Sequence, residues 1–111
     1  MTKTVAFVWR ATICLALSSA TPSLHAQTID DAKVGFTVAQ QVCSECHATQ
    51  RGQDLSPNER APTFEELATT PGMTEAALTV ALTTPHAGMP MFRLTSEERQ
   101  GVIVYILSLR H

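Results

Sequence analysis

The segment "VCSECHATQ", which begins at Val42, sets narrow limits on the fold of this chain. Cys43 and Cys46 are three positions apart, and His47 directly follows the second cysteine. Two thiols and an imidazole at this spacing serve three chemistries: a zinc site, a thiol–disulfide centre, or covalent attachment of a haem. The fold has to present all three side chains within one short segment, and the rest of the sequence decides which chemistry they serve.

The first 26 residues have the layout of a secretory signal peptide. Lys3 and Arg10 lie before the apolar run "ATICLALSSA", and "TPSLHA" ends in a small residue, Ala26. That run is about ten residues long, whereas a helix needs ~20 to span a bilayer, so an uncleaved membrane anchor is disfavoured. We therefore expect residues 1–26 to be a cleaved signal peptide and residues 27–111 to be the mature domain.

Cleavage after residue 26 leaves a small, mildly acidic domain. It has 85 of the 111 residues, and the loss of two basic residues lowers the net charge from −2 to −4. Cys14 leaves with the signal peptide, so Cys43 and Cys46 are the remaining cysteines. An acidic domain without a basic run disfavours nucleic acid and anionic membrane surfaces, and no stable membrane insertion is expected. The signal peptide predicts a periplasmic location. A domain this small commonly needs additional stabilisation, for example from a bound cofactor.

Helical spacing of apolar residues recurs along the chain, and no segment alternates as a strand would. The first helix is expected to start at Asp30 and Asp31, which suit a helix N-terminus, and to run into the cysteine motif. A second starts at Thr74 and stops before Pro85. A short further helix is expected to begin at Pro62 in "APTFEELA", because proline is tolerated in the first helical turn.

The segment "LTSEERQGVIVYILSLR" is the clearest helix. Thr95 and Glu98 have the spacing of a capping box, and Gly101 within the helix costs roughly 1 kcal/mol relative to alanine. The predicted apolar face comprises Val102, Ile103, Tyr105, Ile106, Leu107 and Leu109. Three phenylalanines are expected in the same core: Phe36, Phe64 and Phe92. The chain is thus predicted to be all-α, with three or four helices and long loops.

Zinc and disulfide chemistry both fit this sequence poorly. A structural zinc needs four ligands, and beyond the motif the mature chain offers only His86 and His111, which are far apart. A reactive thiolate is usually activated at a helix N-terminus, whereas Cys43 comes at the end of a helical pattern. The βαβ context of thioredoxin-like proteins is also missing.

Covalent haem attachment fits the motif by geometry. Cys43 and Cys46 in one helical turn project to the same side, where they can form thioethers with the two vinyl groups along one haem edge. His47 then turns its ring toward the iron as the proximal ligand. A signal peptide before the motif agrees with this chemistry, since c-type haem is attached after export.

These residues make the chain similar to small class I cytochromes c across nearly all of residues 30–110. Gly35 lies eight positions before Cys43, where the family keeps a glycine that lets its first and last helices cross closely. Tyr105 resembles the aromatic residue at that crossing. The chain departs from many relatives at Ala39, where they carry phenylalanine, and its mature part has no tryptophan.

The same resemblance implies the residues that support and complete the haem site. "APTFEELA" resembles the family segment whose proline carbonyl accepts the ring N–H of the proximal histidine, so Pro62 is expected to support His47. "GMPMF" resembles the loop that supplies the sixth ligand, and Met89 is the expected ligand because it precedes a proline. Met91 is expected to be core beneath the loop, and His86 is the remaining candidate.

The resemblance implies one haem c, bound covalently through Cys43 and Cys46, with His47 and Met89 as axial ligands. Filled axial positions are typical of a single-electron carrier between periplasmic redox enzymes, and not of an enzyme. Transient electron donors and acceptors are therefore the expected partners. Two alternatives stay open: an open-site haem protein, such as a gas sensor or a peroxidase-like enzyme, and the dedicated cytochrome subunit of a periplasmic dehydrogenase.

Overall fold

A computed structural model describes residues 24–110, so nearly all of the predicted signal peptide lies outside the described residues. Within them the chain forms four α-helices: Leu24–Val38 (α1), Phe64–Thr69 (α2), Glu75–Thr83 (α3) and Ser96–Ser108 (α4). A short π-helical segment, Ala39–Cys43, continues α1. The described part has no β-strand, only one isolated bridge in a loop. The all-α prediction is confirmed.

Helix α1 begins upstream of the position that the sequence indicated. Its first turn starts at Leu24 and contains no acidic residue, so Asp30 and Asp31 lie well inside the helix. The predicted start at these aspartates is wrong, because no proline or glycine interrupts residues 24–29 and the helical backbone continues through them. Asp30 instead lies 3.6 Å from Lys33 on the exposed face. The expected cleavage after residue 26 falls within the first turn of α1.

Capping boxes start α2 and α4. The Thr95 hydroxyl accepts from the Glu98 N–H at 3.1 Å, and the Glu98 carboxylate accepts from the Thr95 N–H at 2.7 Å, as the sequence predicts. Thr63 and Glu66 make the same pair of bonds before α2. The expected helix start at Pro62 is therefore wrong, because Thr63 has the extended backbone of a cap and α2 begins after it.

Helix α3 has the limits that its sequence predicts. Thr74 caps it by accepting from the Ala77 N–H at 3.1 Å, and the helix ends at Thr83, before Pro85. Its only buried residue is Leu78, while Val80 is 59% exposed. None of the helices in the described range is long and apolar enough to cross a membrane.

The core lies where α4 packs against the other three helices. The predicted apolar face of α4 supplies Val102, Ile103, Ile106 and Leu109, all at most 5% exposed. Each such side chain contributes about 1.5–3 kcal/mol on burial. Phe64 joins this core, but the expectation for Phe36 and Phe92 is wrong. They are 41% and 37% exposed, respectively.

Two glycines allow α1 and α4 to cross in close contact. A Cβ added to Gly35 would overlap the Gly101 carbonyl and lie 2.8 Å from the Val102 nitrogen. A Cβ added to Gly101 would lie 2.8 Å from the Gly35 nitrogen and 2.9 Å from the Asp31 oxygen. Gly101 is therefore the counterpart of Gly35 in the crossing, which explains a glycine inside a helix that otherwise disfavours it.

Candidate functional site

The cysteine motif lies at the end of the first helical segment. The π-helical turn ends at Cys43, and the Cys43 carbonyl accepts from the N–H groups of Cys46 at 3.1 Å and His47 at 2.9 Å. This turn gathers the three motif residues within a single loop of backbone. Cys43 is buried at 8% exposure, whereas Cys46 and His47 are half-buried.

The burial of Cys43 disfavours thiol–disulfide chemistry at this motif. Cys43 and Cys46 are both free thiols, as haem attachment and a reduced dithiol centre alike require. Burial raises the pKa of the Cys43 thiol from 9.0 to about 11, so this sulfur stays protonated at neutral pH. Reactive cysteines of oxidoreductases have a lowered pKa and an exposed sulfur instead.

The described residues also offer no zinc site. No group of three or more histidine, cysteine, aspartate or glutamate side chains within residues 24–110 is placed to hold a metal ion. A structural zinc site needs four such ligands converging on one point. The motif therefore needs an external group to complete any metal coordination.

His47 is held by the contact that the family resemblance implies. Its Nδ1 lies 2.7 Å from the Pro62 carbonyl oxygen. A carbonyl only accepts, so Nδ1 carries a proton, and in the corresponding neutral tautomer the lone pair lies on Nε2. Such a bond fixes the tautomer and the ring orientation of a metal-binding histidine and raises its basicity. The roles of His47 and Pro62 toward a haem remain predictions.

The polar loop of residues 50–61 holds the backbone around His47. The Asn58 N–H donates to the Cys46 carbonyl at 3.1 Å, and the Ser56 hydroxyl accepts from the Ala48 N–H at 2.9 Å. The Phe64 N–H donates to the Ala48 carbonyl at 2.9 Å. No motif in the sequence indicates a role for Ser56 or Asn58. Serine, proline and asparagine in "LSPNER" are the turn-forming residues that signal such a loop.

A row of aromatic contacts leads from His47 to the helix crossing. The Phe64 ring lies 5.6 Å from the His47 ring and 6.3 Å from the Tyr105 ring, measured between centroids. Phe36 makes an edge contact with Tyr105 at 5.4 Å. Tyr105 therefore lies at the helix crossing, as the resemblance implies, and connects it to the surroundings of the histidine.

Met89 lies in the loop between α3 and α4. Its N–H donates to the His86 carbonyl at 3.4 Å across a turn in which Gly88 has a φ of +84°. Met89 is half-buried and His86 is exposed. The prediction that Met91 is core beneath the loop is wrong. It is 53% exposed and lies in the loop between α3 and α4, outside the helices that form the core.

A groove of about 710 Å³ lies elsewhere, between α1 and α4. Ile29, Phe36 and Tyr105 are among its lining residues, and no motif residue is. The groove is therefore separate from the cysteine motif.

The donor set of the site fits a haem. Free thiols at Cys43 and Cys46 are the reactants for thioether bonds, and the Nε2 lone pair of His47 is available to an iron. Met89 offers a thioether in the loop after α3, and Phe64 gives an apolar wall beside the imidazole. Methionine with histidine is one of the ligand pairs found in cytochromes c.

The fold and the site thus define a c-type cytochrome domain. The chain belongs to the family described as cytochrome c oxidase, cbb3-type, subunit III, whose model matches residues 30–106. The predictions of a small cytochrome c and of its helical fold are confirmed. Family membership implies covalently bound haem c, electron transfer, and redox partners in general. No curated protein and no solved structure shows a significant match to the chain.

Proposed function

We propose that this protein is a periplasmic single-electron carrier with one haem c attached through Cys43 and Cys46. The observation that carries the proposal is the 2.7 Å contact between His47 Nδ1 and the Pro62 carbonyl, which leaves Nε2 free as a ligand. When bound, the haem supplies an iron that changes charge by one electron. The periplasmic location rests on the signal peptide predicted at residues 1–26.

In this proposal the protein's own groups would hold the iron. His47 would bind it through Nε2, while its Nδ1–H donates to the Pro62 carbonyl and fixes the orientation of the imidazole. Met89 would supply the second protein ligand from the loop after α3, where Gly88 and Pro90 shape the backbone around it. With two protein ligands, no position would remain open for a substrate, which favours a carrier over an enzyme.

The partner proteins are proposed to be transient electron donors and acceptors. Electron tunnelling requires close approach, so they should dock near the haem edge beside Cys43 and Cys46, with Ser44 and the 86–92 loop at the rim. Transient redox interfaces are small, at less than about 1,200 Å² of total buried area. Ala87 is an exposed residue of that loop and, unlike Gly88, has no positive φ. A charged side chain introduced at Ala87 therefore tests the docking site without straining the backbone.

Mass and optical spectra of the exported protein test this proposal. We expect a mass equal to the chain without residues 1–26 plus one haem, retained after acid–acetone extraction. We also expect a ferric methionine–haem charge-transfer band and no binding of carbon monoxide to the ferrous protein. Haem that extracts freely would contradict the covalent attachment, and carbon monoxide binding would favour an open-site haem protein.

A subunit role is the second candidate, and the family description favours it because it names a subunit of an oxidase. The haem ligation would be the same, but the protein would remain bound to a larger enzyme. Affinity purification of the tagged protein from its own periplasm and membranes separates the two. A free carrier elutes alone at moderate salt, whereas a subunit elutes with its enzyme in a fixed ratio.

A further inference from the structure

Thr49, two residues after His47, is held at both its side chain and its backbone. The Gln40 side-chain amide donates to the Thr49 hydroxyl at 2.6 Å, and the Tyr105 hydroxyl donates to the Thr49 carbonyl at 2.8 Å. Thr49 itself is only 2% exposed, and both bonds are partly buried. We call Gln40, Thr49 and Tyr105 the Thr49 clamp.

The clamp joins parts of the fold that are distant in sequence. Gln40 belongs to the π-helical turn before the motif, and Tyr105 belongs to α4. The orientation of the Gln40 amide is fixed, since its oxygen accepts from the Gln50 side chain at 3.1 Å. The segment that carries the ligand histidine is therefore fixed to both the first and the last helical elements.

Thr49 is the last buried residue of this segment, and the contacts beyond it, from Arg51 to the Ser108 carbonyl and from Gly52 to Glu65, lie at the exposed surface. Asn58 holds the carbonyl of Cys46, and Ser56 and Phe64 hold the two backbone groups of Ala48. Beyond Thr49 the chain is exposed through residues 50–55. Loss of the bond at Thr49 would let the backbone after His47 move, and with it the angle between the imidazole and the Pro62 carbonyl.

We propose that the Thr49 clamp positions His47. Tyr105 is then a positioning residue, because its hydroxyl influences the reduction potential of the haem through the orientation of His47. The proposal rests on the proposed function, because it concerns the iron ligand. A strong bond from Nδ1–H to Pro62 makes the imidazole more basic, and a more basic ligand stabilises the ferric state. Loosening the clamp should therefore raise the reduction potential.

Two variants and one matched control test this proposal. Tyr105→Phe removes the hydroxyl while retaining the ring, and Thr49→Val removes the acceptor of the Gln40 bond at similar volume. Ser108→Ala is the control. It deletes a hydroxyl of α4 that bonds the Tyr105 carbonyl at 2.6 Å, but it does not touch Thr49. The measurements are the reduction potential of each haem-loaded protein and, by NMR in the ferrous state, the hydrogen-exchange rate of His47 Nδ1–H.

We expect each clamp variant to shift the equilibrium between ferric and ferrous protein toward the ferrous state by about threefold, which raises the reduction potential by roughly 28 mV for a one-electron couple. Exchange of the His47 proton should accelerate about tenfold, while Ser108→Ala changes neither quantity. Clamp variants that lose stability but match Ser108→Ala in potential and exchange would overturn the proposal, since Tyr105 would then have a structural role only. Failure of the unmodified protein to hold haem would instead overturn the proposed function.

Discussion

Replacing Gly35 by alanine tests the helix crossing on which the fold depends. A methyl group there overlaps the Gly101 carbonyl, which is backbone and cannot rotate away. Helices α1 and α4 would have to separate by roughly 1 Å, a gap that forfeits a quarter to a half of each dispersion contact across it. The core face of α4, including Val102 at 0% exposure, would lose part of its packing.

The expected loss of stability in Gly35→Ala follows from two opposing effects. Overpacking of a rigid site costs about 3 kcal/mol or somewhat more, whereas alanine gains about 1 kcal/mol over glycine in a helix. Gly35→Ala should therefore lower the free energy of unfolding by about 2 kcal/mol or more. Gly101→Ala, with contacts of 2.8 and 2.9 Å, should have a smaller effect in the same direction.

Urea unfolding followed by far-UV circular dichroism measures these effects in the haem-loaded protein. Ala77→Gly, at an exposed position of α3, calibrates the helix-propensity difference and should cost about 1 kcal/mol. The midpoint should fall for both crossing variants with an unchanged slope. If Gly35→Ala were as stable as the parent or more stable, propensity alone would govern this site and the close crossing would be refuted.

Three further changes probe the cap, the clamp tyrosine and the cysteines. Thr95→Ala removes the cap of α4 and should cost about 1 kcal/mol in urea unfolding; an unchanged midpoint would contradict the capping box. Burial raises the pKa of Tyr105 above its ordinary 10.0, so stability should be intact below pH 10 and fall as pH rises through the folded-state pKa. Urea midpoints at alkaline pH should show this fall in the parent and not in Tyr105→Phe. Cys43→Ser and Cys46→Ser should each lose one thioether and most of the accumulated haem protein, as read from intact mass, whereas normal accumulation would contradict attachment at these residues.

Local chemistry in the sequence predicted much of the fold. The capping box at Thr95 and the apolar face of α4 depend on neighbouring residues in one helix, so their spacing suffices to predict them. Gly35 was interpretable because a family resemblance supplied its partner helix. In the sequence alone Gly101 only lowers helix propensity, and the three-dimensional crossing is needed to show why its side chain must be absent.

Other parts of the site depend on contacts that no local pattern reveals. Ser56 and Asn58 meet the motif through a loop whose path is set by tertiary contacts. The bond from Tyr105 to Thr49 joins residues 56 positions apart. Phe36 has the hydrophobicity of a core residue, yet it lies on the groove side of α1 and remains exposed. The sequence does not predict this exposure, because periodicity alone does not show which face of α1 packs against α4.

The identity of the sixth ligand decides whether this protein is an electron carrier, because a carrier needs both axial positions filled by the protein. The measurement compares the ferric spectrum and ferrous carbon monoxide binding of Met89→Ala and Met91→Leu. We predict that Met89→Ala loses the methionine–haem band and binds carbon monoxide, whereas Met91→Leu keeps the band and stays unreactive. Loss of the band in Met91→Leu alone would move the ligand by two residues, and a parent protein that lacks the band and binds carbon monoxide would contradict the carrier function.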